Sequence, residues 1–120
     1  MLPKKGSRRV TVDGVVYRWR ESHGHRFFEL RLEHFEAPGQ LLFAPFAYRA
    51  LDASRPADVY RPIMTHRVLS AVIACGLTGG WSPERPGPVL CLEPSDTAPL
   101  VSDYDYRHSK WTVKQGDRYV

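Results

Sequence analysis

Long hydrophobic runs are missing from this chain of 120 residues. The longest apolar stretch, residues 68–77, contains a serine and a glycine and falls short of the roughly 18 residues that a membrane-spanning helix requires. Residues 1–9 are basic but lack the apolar segment of a secretory signal peptide. We therefore expect a cytoplasmic protein with no membrane partner.

Cysteine is scarce, which excludes a disulfide-rich fold. Cys75 and Cys91 allow one disulfide at most, and no C-x-x-C spacing of the kind that binds zinc is present. Both lie in apolar surroundings, where a free thiol behaves as a small hydrophobic group. We predict that both cysteines are buried and reduced.

Motifs that carry enzyme chemistry are also missing. There is no G-x-S-x-G turn for a nucleophilic serine, and the glycine-rich residues 76–80 follow a predicted helix instead of preceding one, where phosphate would bind. His25 and His34 lie nine residues apart, hence on opposite faces of a strand, so with the neighbouring His23 they do not form a regular metal-ligand set. The sequence predicts no catalytic residue, metal or cofactor, and it argues against an enzyme.

The composition that remains is that of one globular domain. Hydrophobic residues make up 42% of the chain and charged residues 25%, ordinary values that exclude a disordered or fibrous protein. The length suffices for one domain but not for two. We predict a single α+β domain over residues 8–93, a flexible arm over residues 1–7 and a C-terminal extension over residues 94–120 whose structure the pattern does not define.

Asp13 and Gly14 predict a two-residue β-hairpin, because both residues accept the positive φ angles of a type I′ turn. Pairing Val12 with Val15 then sorts the flanking side chains onto two faces. The apolar face holds Val10, Val12, Val15, Tyr17 and Trp19. The opposite, outer face holds the basic residues Arg9, Arg18 and Arg20.

Alternation over residues 25–36 predicts a third strand with one face in the core. Phe28, Leu30 and Leu32 point inward, and Glu29 and Glu33 point to solvent, where they can neutralise the neighbouring arginines. Residues 37–40 are a turn by composition, and residues 41–46 are apolar enough to form a fourth strand. Together these segments predict an antiparallel meander.

A single helix follows the strands. Thr65 caps a helix over residues 65–78, which Gly79 and Gly80 end, and the apolar residues 89–92 predict one more buried strand. The order ββββαβ predicts an α+β fold, an antiparallel β-meander of four to five strands with the helix packed on one face. The back of the helix, with Ala71 and Ala74, is too weakly polar to face water, so we expect another part of the chain or a partner to cover it.

Two motifs resemble an uncharacterised family of short bacterial proteins. The first is the hairpin around Asp13 and Gly14, a D-G-x-x-Y-R-W motif, and the second is the helix from Thr65, followed by Trp81 in a G-W-x-P motif. The resemblance covers about residues 9–92, although His66 stands where the family's helix has a first-turn proline. The family has no established activity, so the resemblance implies a shared fold and no catalytic residue.

The small net charge of +4 is unevenly distributed. Residues 1–31 contain eight Lys and Arg against three Asp and Glu, a net of +5, so the remaining residues sum to −1. Arg9, Arg18 and Arg20 share the outer hairpin face, next to a flexible basic arm. Such a patch can contact phosphate groups or an acidic protein.

Three functions are compatible with this sequence. The first is a non-enzymatic protein-interaction module, whose partner is another protein or a second copy of this chain. The reasons are that the back of the helix has few polar residues and that the sequence does not predict a cluster of catalytic side chains. The second is a nucleic-acid-associated accessory protein that uses Arg9, Arg18 and Arg20. The third is a small-molecule binder or enzyme with a pocket beside Trp81, close to His66, Tyr17 or Trp19.

Overall fold

The computed structural model of the protein describes residues 2–51, 53–55 and 57–108 as seven strands, two α-helices and two 3₁₀ turns. In chain order they are β1 Arg8–Val12, β2 Val15–His23, β3 Phe27–His34, β4 Leu42–Ala47, β5 Tyr60–Pro62, α1 His66–Thr78, β6 Leu90–Cys91, α2 Pro94–Thr97, the 3₁₀ turns Ala98–Leu100 and Asp103–Asp105, and β7 Tyr106–His108. Every helix in these ranges is too short or too polar to cross a bilayer.

The main sheet has five strands in the order β1-β2-β3-β4-β6. The first four form an antiparallel meander, and β6 pairs in parallel with β4 at the sheet edge. Strands β5 and β7 form a separate antiparallel pair. The predicted α+β fold, a meander with one main helix, is therefore confirmed.

The first hairpin has the predicted register. Asp13 and Gly14 have φ angles of 52° and 78°, as a type I′ turn requires, and Val12 pairs with Val15. Val10 therefore lies opposite Tyr17, and both side chains are buried. This register is what places Arg9 of β1 and Arg18 of β2 on the outer face.

Helix α1 closes the core over the inner face of the sheet. The side chains of Phe28, Leu30 and Leu32 are fully buried, as the alternation in β3 predicts. The Thr65 hydroxyl accepts a hydrogen bond from the Val68 N–H, which caps the helix. The buried stripe of the helix consists of Val68, Leu69, Val72, Ile73 and Gly76.

Packing is continuous beyond the predicted domain limits at residues 8 and 93. Leu2, in the segment expected to be flexible, is 6% exposed, and Thr97, Val101 and Tyr106 are buried as well. The Tyr106 hydroxyl donates to the Ala47 carbonyl at 2.8 Å, which ties β7 to the end of β4. Residues 109–120 of the predicted extension lie outside the described residues.

The environment of the cysteines differs from the expectation. Both thiols are free, but Cys75 is only half-buried and Cys91 is exposed. Cys91 ends the two-residue strand β6 at the sheet edge, where its side chain points away from the core. The prediction of two buried cysteines is therefore wrong for Cys91, because a short edge strand buries only one of its faces.

Candidate functional site

The outer face of the first hairpin carries a concave cavity of about 330 Å³. We call it the basic pocket, and its lining residues are Lys4, Ser7, Arg8, Arg9, Arg18 and Phe35. Four of the six are cations. This is the largest convergence of like charge that the described cavities show.

Strand pairing explains why two of these arginines meet. Arg9 in β1 and Arg18 in β2 are register partners, and side chains directly opposite each other in an antiparallel pair lie on the same face. Their chain neighbours Val10, Tyr17 and Trp19 are buried on the inner face. Arg9 and Arg18 therefore point outward together, as the sequence predicts.

Phe35 holds the two guanidinium groups in place. The guanidinium carbon of Arg9 lies 4.5 Å from the centre of the Phe35 ring, and that of Arg18 lies 5.0 Å away. The Phe35 N–H donates to the Val16 carbonyl at 3.0 Å, which fixes the residue just after β3. Contact with an aromatic ring attracts a cation while leaving the N–H groups at its edge available to a ligand.

Phe35 is not among the predicted binding residues, although its position in the chain contains a usable signal. Phe35 lies two residues after Glu33, so the two-residue period of β3 places both on the outer face. Glu33 in turn is the register partner of Arg18. An aromatic residue in this position is therefore within reach of the arginines of the hairpin.

Glu33 behaves differently from the solvated glutamate that the alternation suggests. Glu33 is only 2% exposed. Its two carboxylate oxygens share the Leu2 N–H as a hydrogen-bond donor, each at 3.0 Å. One of these oxygens also lies 4.0 Å from Nε of Arg18. Glu33 is therefore buried because the segment around Leu2 covers it.

The positive charge of the basic pocket is only partly compensated. Glu29, the other acid of β3, lies 3.4 Å from Arg31 and does not reach the pocket arginines. Among the described residues, Glu33 pairs with Arg18 at the pocket. The lining thus contains four cationic residues, one of which, Arg18, lies beside a buried carboxylate.

The segment of residues 2–7 forms one wall of the basic pocket. The Ser7 N–H donates to the Lys4 carbonyl at 3.2 Å, and Gly6 adopts a φ of +81° that favours glycine, so the segment turns back over the hairpin. A Cβ atom at Gly6 would lie 3.5 Å from Nε of Arg20. Arg20, a predicted binding residue, thus packs against this segment and does not line the cavity.

Trp81, the fourth predicted binding residue, lies in the core. It is 3% exposed, its indole N–H donates to the Gln40 carbonyl at 2.9 Å, and its ring centre is 5.7 Å from that of Tyr17. Trp81 does not line the basic pocket. A ligand contact by Trp81 remains a prediction, and the contacts seen are those of a packed core residue.

A second cavity, the helix groove, lies along the back of α1. It measures about 630 Å³, and it is lined mainly by small and apolar residues of α1, β6 and the following segment: Ala71, Ala74, Cys75, Thr78, Gly79, Leu90, Cys91, Leu92, Asp96 and Leu100. Burial and the nearby carboxylate of Asp96 raise the pKa of the Cys75 thiol, so that thiol is not activated as a nucleophile. The lining of the groove is therefore mainly apolar.

Comparisons with known proteins do not indicate a function for this chain, so the function is inferred from these two cavities. A scan against protein-family models, a search of curated proteins and a search of solved structures found no match to this chain. The resemblance to short bacterial proteins therefore remains a prediction. Among the described residues, no group of three or more His, Cys, Asp and Glu is arranged to hold a metal ion.

Proposed function

We propose that this protein is a non-enzymatic binding module that associates with nucleic acid through the basic pocket. The observation that carries the proposal is that Lys4, Arg8, Arg9 and Arg18 line one cavity, in which Arg9 and Arg18 lie against the Phe35 ring. Lys and Arg that neutralise backbone phosphates release bound counterions, and this release drives sequence-independent binding. Cations combined with an aromatic side chain are also how single strands are held without sequence preference.

The arginines of the pocket are prepared for such a ligand. A free arginine side chain loses rotamer entropy when it is immobilised on a ligand. Here the Phe35 ring already orients Arg9 and Arg18. Part of the ordering cost is therefore met in the free protein, which favours binding.

Fluorescence anisotropy with a labelled oligothymidine single strand tests the proposal. We expect binding at low salt and a fall in affinity of about 20- to 50-fold between about 50 and 200 mM salt, which corresponds to three or four phosphate contacts. The double variant Arg9→Ala/Arg18→Ala should abolish most of this binding. The matched control Arg26→Ala/Arg85→Ala removes the same charge from exposed positions outside the pocket.

The control separates a local site from a general effect of net charge. If both double variants lose affinity equally, the positive charge of the whole protein binds the strand, and the pocket is not a site. If the unmodified protein does not bind the strand at low salt, the proposed function is wrong. A loss confined to Arg9→Ala/Arg18→Ala supports it.

We also propose a second function, self-association through the helix groove, which would make the protein an interaction module. Two exposed apolar residues adjoin the groove in sequence, Leu77 at 46% and Val89 at 50% exposed. Contiguous apolar surface of this kind marks interaction sites, and a symmetric contact between two copies would bury both grooves at once.

Sedimentation as a function of concentration tests the second function. A dimer is expected, and Ala74→Glu, which adds a charge to the groove lining, should make the protein monomeric. Ser82→Glu is the matched control, because Ser82 is exposed and lies outside the groove. A monomer at all concentrations would exclude self-association.

Both proposals place the protein in the cytoplasm, since free thiols such as Cys91 suit a reducing compartment.

A further inference from the structure

The basic pocket depends on a chain segment that lies outside the main sheet. Lys4 and Ser7 line the cavity, and both belong to the segment of residues 2–7. This segment is attached at Leu2, whose side chain is 6% exposed and whose N–H donates to the Glu33 carboxylate. The position of Lys4 is therefore set by a contact between residues 31 positions apart in the chain.

The Glu33 carboxylate favours the docked segment for an electrostatic reason. A buried carboxylate is costly unless hydrogen bonds and a counter-charge compensate for lost hydration. The single Leu2 N–H is shared by the two carboxylate oxygens, at 3.0 Å from each, and Arg18 supplies a positive charge at 4.0 Å. The same carboxylate thus contacts the arm segment and one of the pocket arginines, and it links the two walls of the cavity.

The size and shape of the pocket favour one unit of a single strand over a duplex. A cavity of about 330 Å³ lies at the lower end of the range for small-ligand sites, roughly 300–1,000 Å³. A duplex is usually read by a helix or a β-ribbon that projects into a groove about 12 Å wide. In this protein the cations surround a concave site, into which a single phosphate-bearing unit can enter.

We propose that the basic pocket binds a short segment of a single-stranded nucleic acid, with one phosphate-bearing unit inside the cavity and the neighbouring phosphates at its rim, and that Glu33 is the positioning residue that assembles the pocket by docking Leu2. The inference rests on the proposed function and adds the form of the ligand and the residue that shapes the site. Glu33 itself does not contact the ligand. Its effect passes through Leu2 to Lys4, and directly to Arg18.

Substitution of Glu33 distinguishes assembly of the pocket by Glu33 from a simple electrostatic effect of its charge, because the two predict opposite changes in the affinity for oligothymidine. Glu33→Ala removes a negative charge beside the pocket, so simple electrostatics expects tighter binding of oligothymidine. If Glu33 assembles the pocket, binding becomes several-fold weaker in spite of the favourable charge change. Glu33→Gln is the conservative control, because its amide oxygen still accepts from the Leu2 N–H, and it should bind at least as tightly as the unmodified protein.

Leu2→Ala weakens the same docking by removing the buried side chain of Leu2, while it keeps the backbone N–H that donates to Glu33 and alters neither charge nor any side chain of the sheet. We expect several-fold weaker binding and a salt dependence shallower by about 0.7 in log–log slope, the value of one lost phosphate contact on a single strand. Amide exchange in β2 and β3 should stay as in the unmodified protein, which shows that the fold is retained. Unchanged affinity in both Leu2→Ala and Glu33→Ala, or tighter binding in Glu33→Ala, would overturn the proposal.

Two further probes separate this inference from the proposed function. A duplex of equal length should bind more weakly than the single strand, and equal or tighter duplex binding excludes the single-strand preference. Titration with inorganic phosphate, followed by NMR at the side-chain N–H groups of Arg9 and Arg18, reports the pocket without nucleic acid. Shifts in the unmodified protein that disappear in Glu33→Ala but persist in Glu33→Gln support assembly even if oligothymidine does not bind, whereas identical shifts in the unmodified protein and in Glu33→Ala refute it.

Discussion

Phe35 is the residue on which the arrangement of the basic pocket depends most directly. It contacts the guanidinium groups of Arg9 and Arg18, at 4.5 and 5.0 Å from the ring centre. Each such cation–π contact at an exposed site contributes about 0.5–1 kcal/mol. The ring thus favours one orientation of both arginines over the many that a solvated side chain samples.

Replacing this ring tests its role in orienting the arginines. Phe35→Leu keeps an apolar side chain but removes the aromatic face, so we expect several-fold weaker binding of oligothymidine in the anisotropy assay. The free energy of unfolding in urea should change by less than about 1.5 kcal/mol, as is usual for hydrophobic substitutions of similar volume. Binding as tight as that of the unmodified protein would show that the ring has no part in preparing the site.

Substitution of Leu30, another single residue, tests whether the alternate side chains of β3 point into the core. Its side chain is fully buried in β3, and Leu30→Ala should lower the free energy of unfolding by about 2–5 kcal/mol. Leu77→Ala makes the same chemical change at a residue 46% exposed and should cost much less. Urea denaturation of both variants measures the difference, and equal costs would contradict the inward orientation of Leu30.

At the scale of elements, the segment after β6 is attached to α1 and β4 by polar contacts. Arg67 of α1 forms an ion pair with Asp105, and the Ile63 N–H donates to the Asp105 carbonyl at 2.7 Å. The Thr97 hydroxyl donates to the Pro45 carbonyl in the middle of β4. The segment therefore covers one side of the helix and leaves the groove beside it.

The Asp105 contact makes this attachment sensitive to acid. The hydrogen bond from Arg67, helped by the Ser102 N–H, holds the pKa of the Asp105 carboxyl below its ordinary value of 3.8. A group whose pKa is lowered by folding stabilises the fold fully above its ordinary pKa, and that contribution is lost as the pH falls through the lowered value.

We therefore expect the protection of the Ile63 amide against hydrogen exchange to fall as the pH drops below about 3.8. Asp105→Asn, which cannot form the ion pair, should show reduced protection at neutral pH and a weaker dependence on acid. If the exchange protection of Ile63 has the same pH dependence in both proteins, Asp105 does not hold this segment.

At the scale of the whole molecule, the positive charge is concentrated in one part of the chain. The net charge is only +4, but residues 1–31 carry +5, and four of their eight basic residues line the basic pocket. A concave site lined by one sign of charge focuses the electric field and raises the rate at which an oppositely charged ligand arrives.

This distribution leads to a kinetic expectation. The association rate of oligothymidine, measured by stopped-flow fluorescence, should fall steeply with salt, because ions screen charges beyond a Debye length of about 10 Å at 0.1 M. Arg26→Ala/Arg85→Ala should leave most of this dependence, and Arg9→Ala/Arg18→Ala should remove most of it. An association rate that does not change with salt would argue against electrostatic steering.

The sequence by itself determined the parts of the fold whose energetics are local. Asp13 and Gly14 select the hairpin turn and hence its register, alternation selects the buried face of β3, and Thr65 starts α1 through its own side chain. The outward direction of Arg9 and Arg18 follows from that register. Each of these features depends on neighbours a few residues away.

Only the tertiary structure decided which outward residues form a site. Phe35 contacts Arg9 across two strands, Leu2 covers Glu33 from 31 residues away, and Arg20 lies beneath Gly6 instead of in the pocket. The alternation in β3 assigned Glu33 to solvent because a two-residue period reports the face of a sheet and not what covers that face. Burial, the pairing of a carboxylate and the shape of a cavity are set by contacts between distant segments, and those energies are absent from any local pattern.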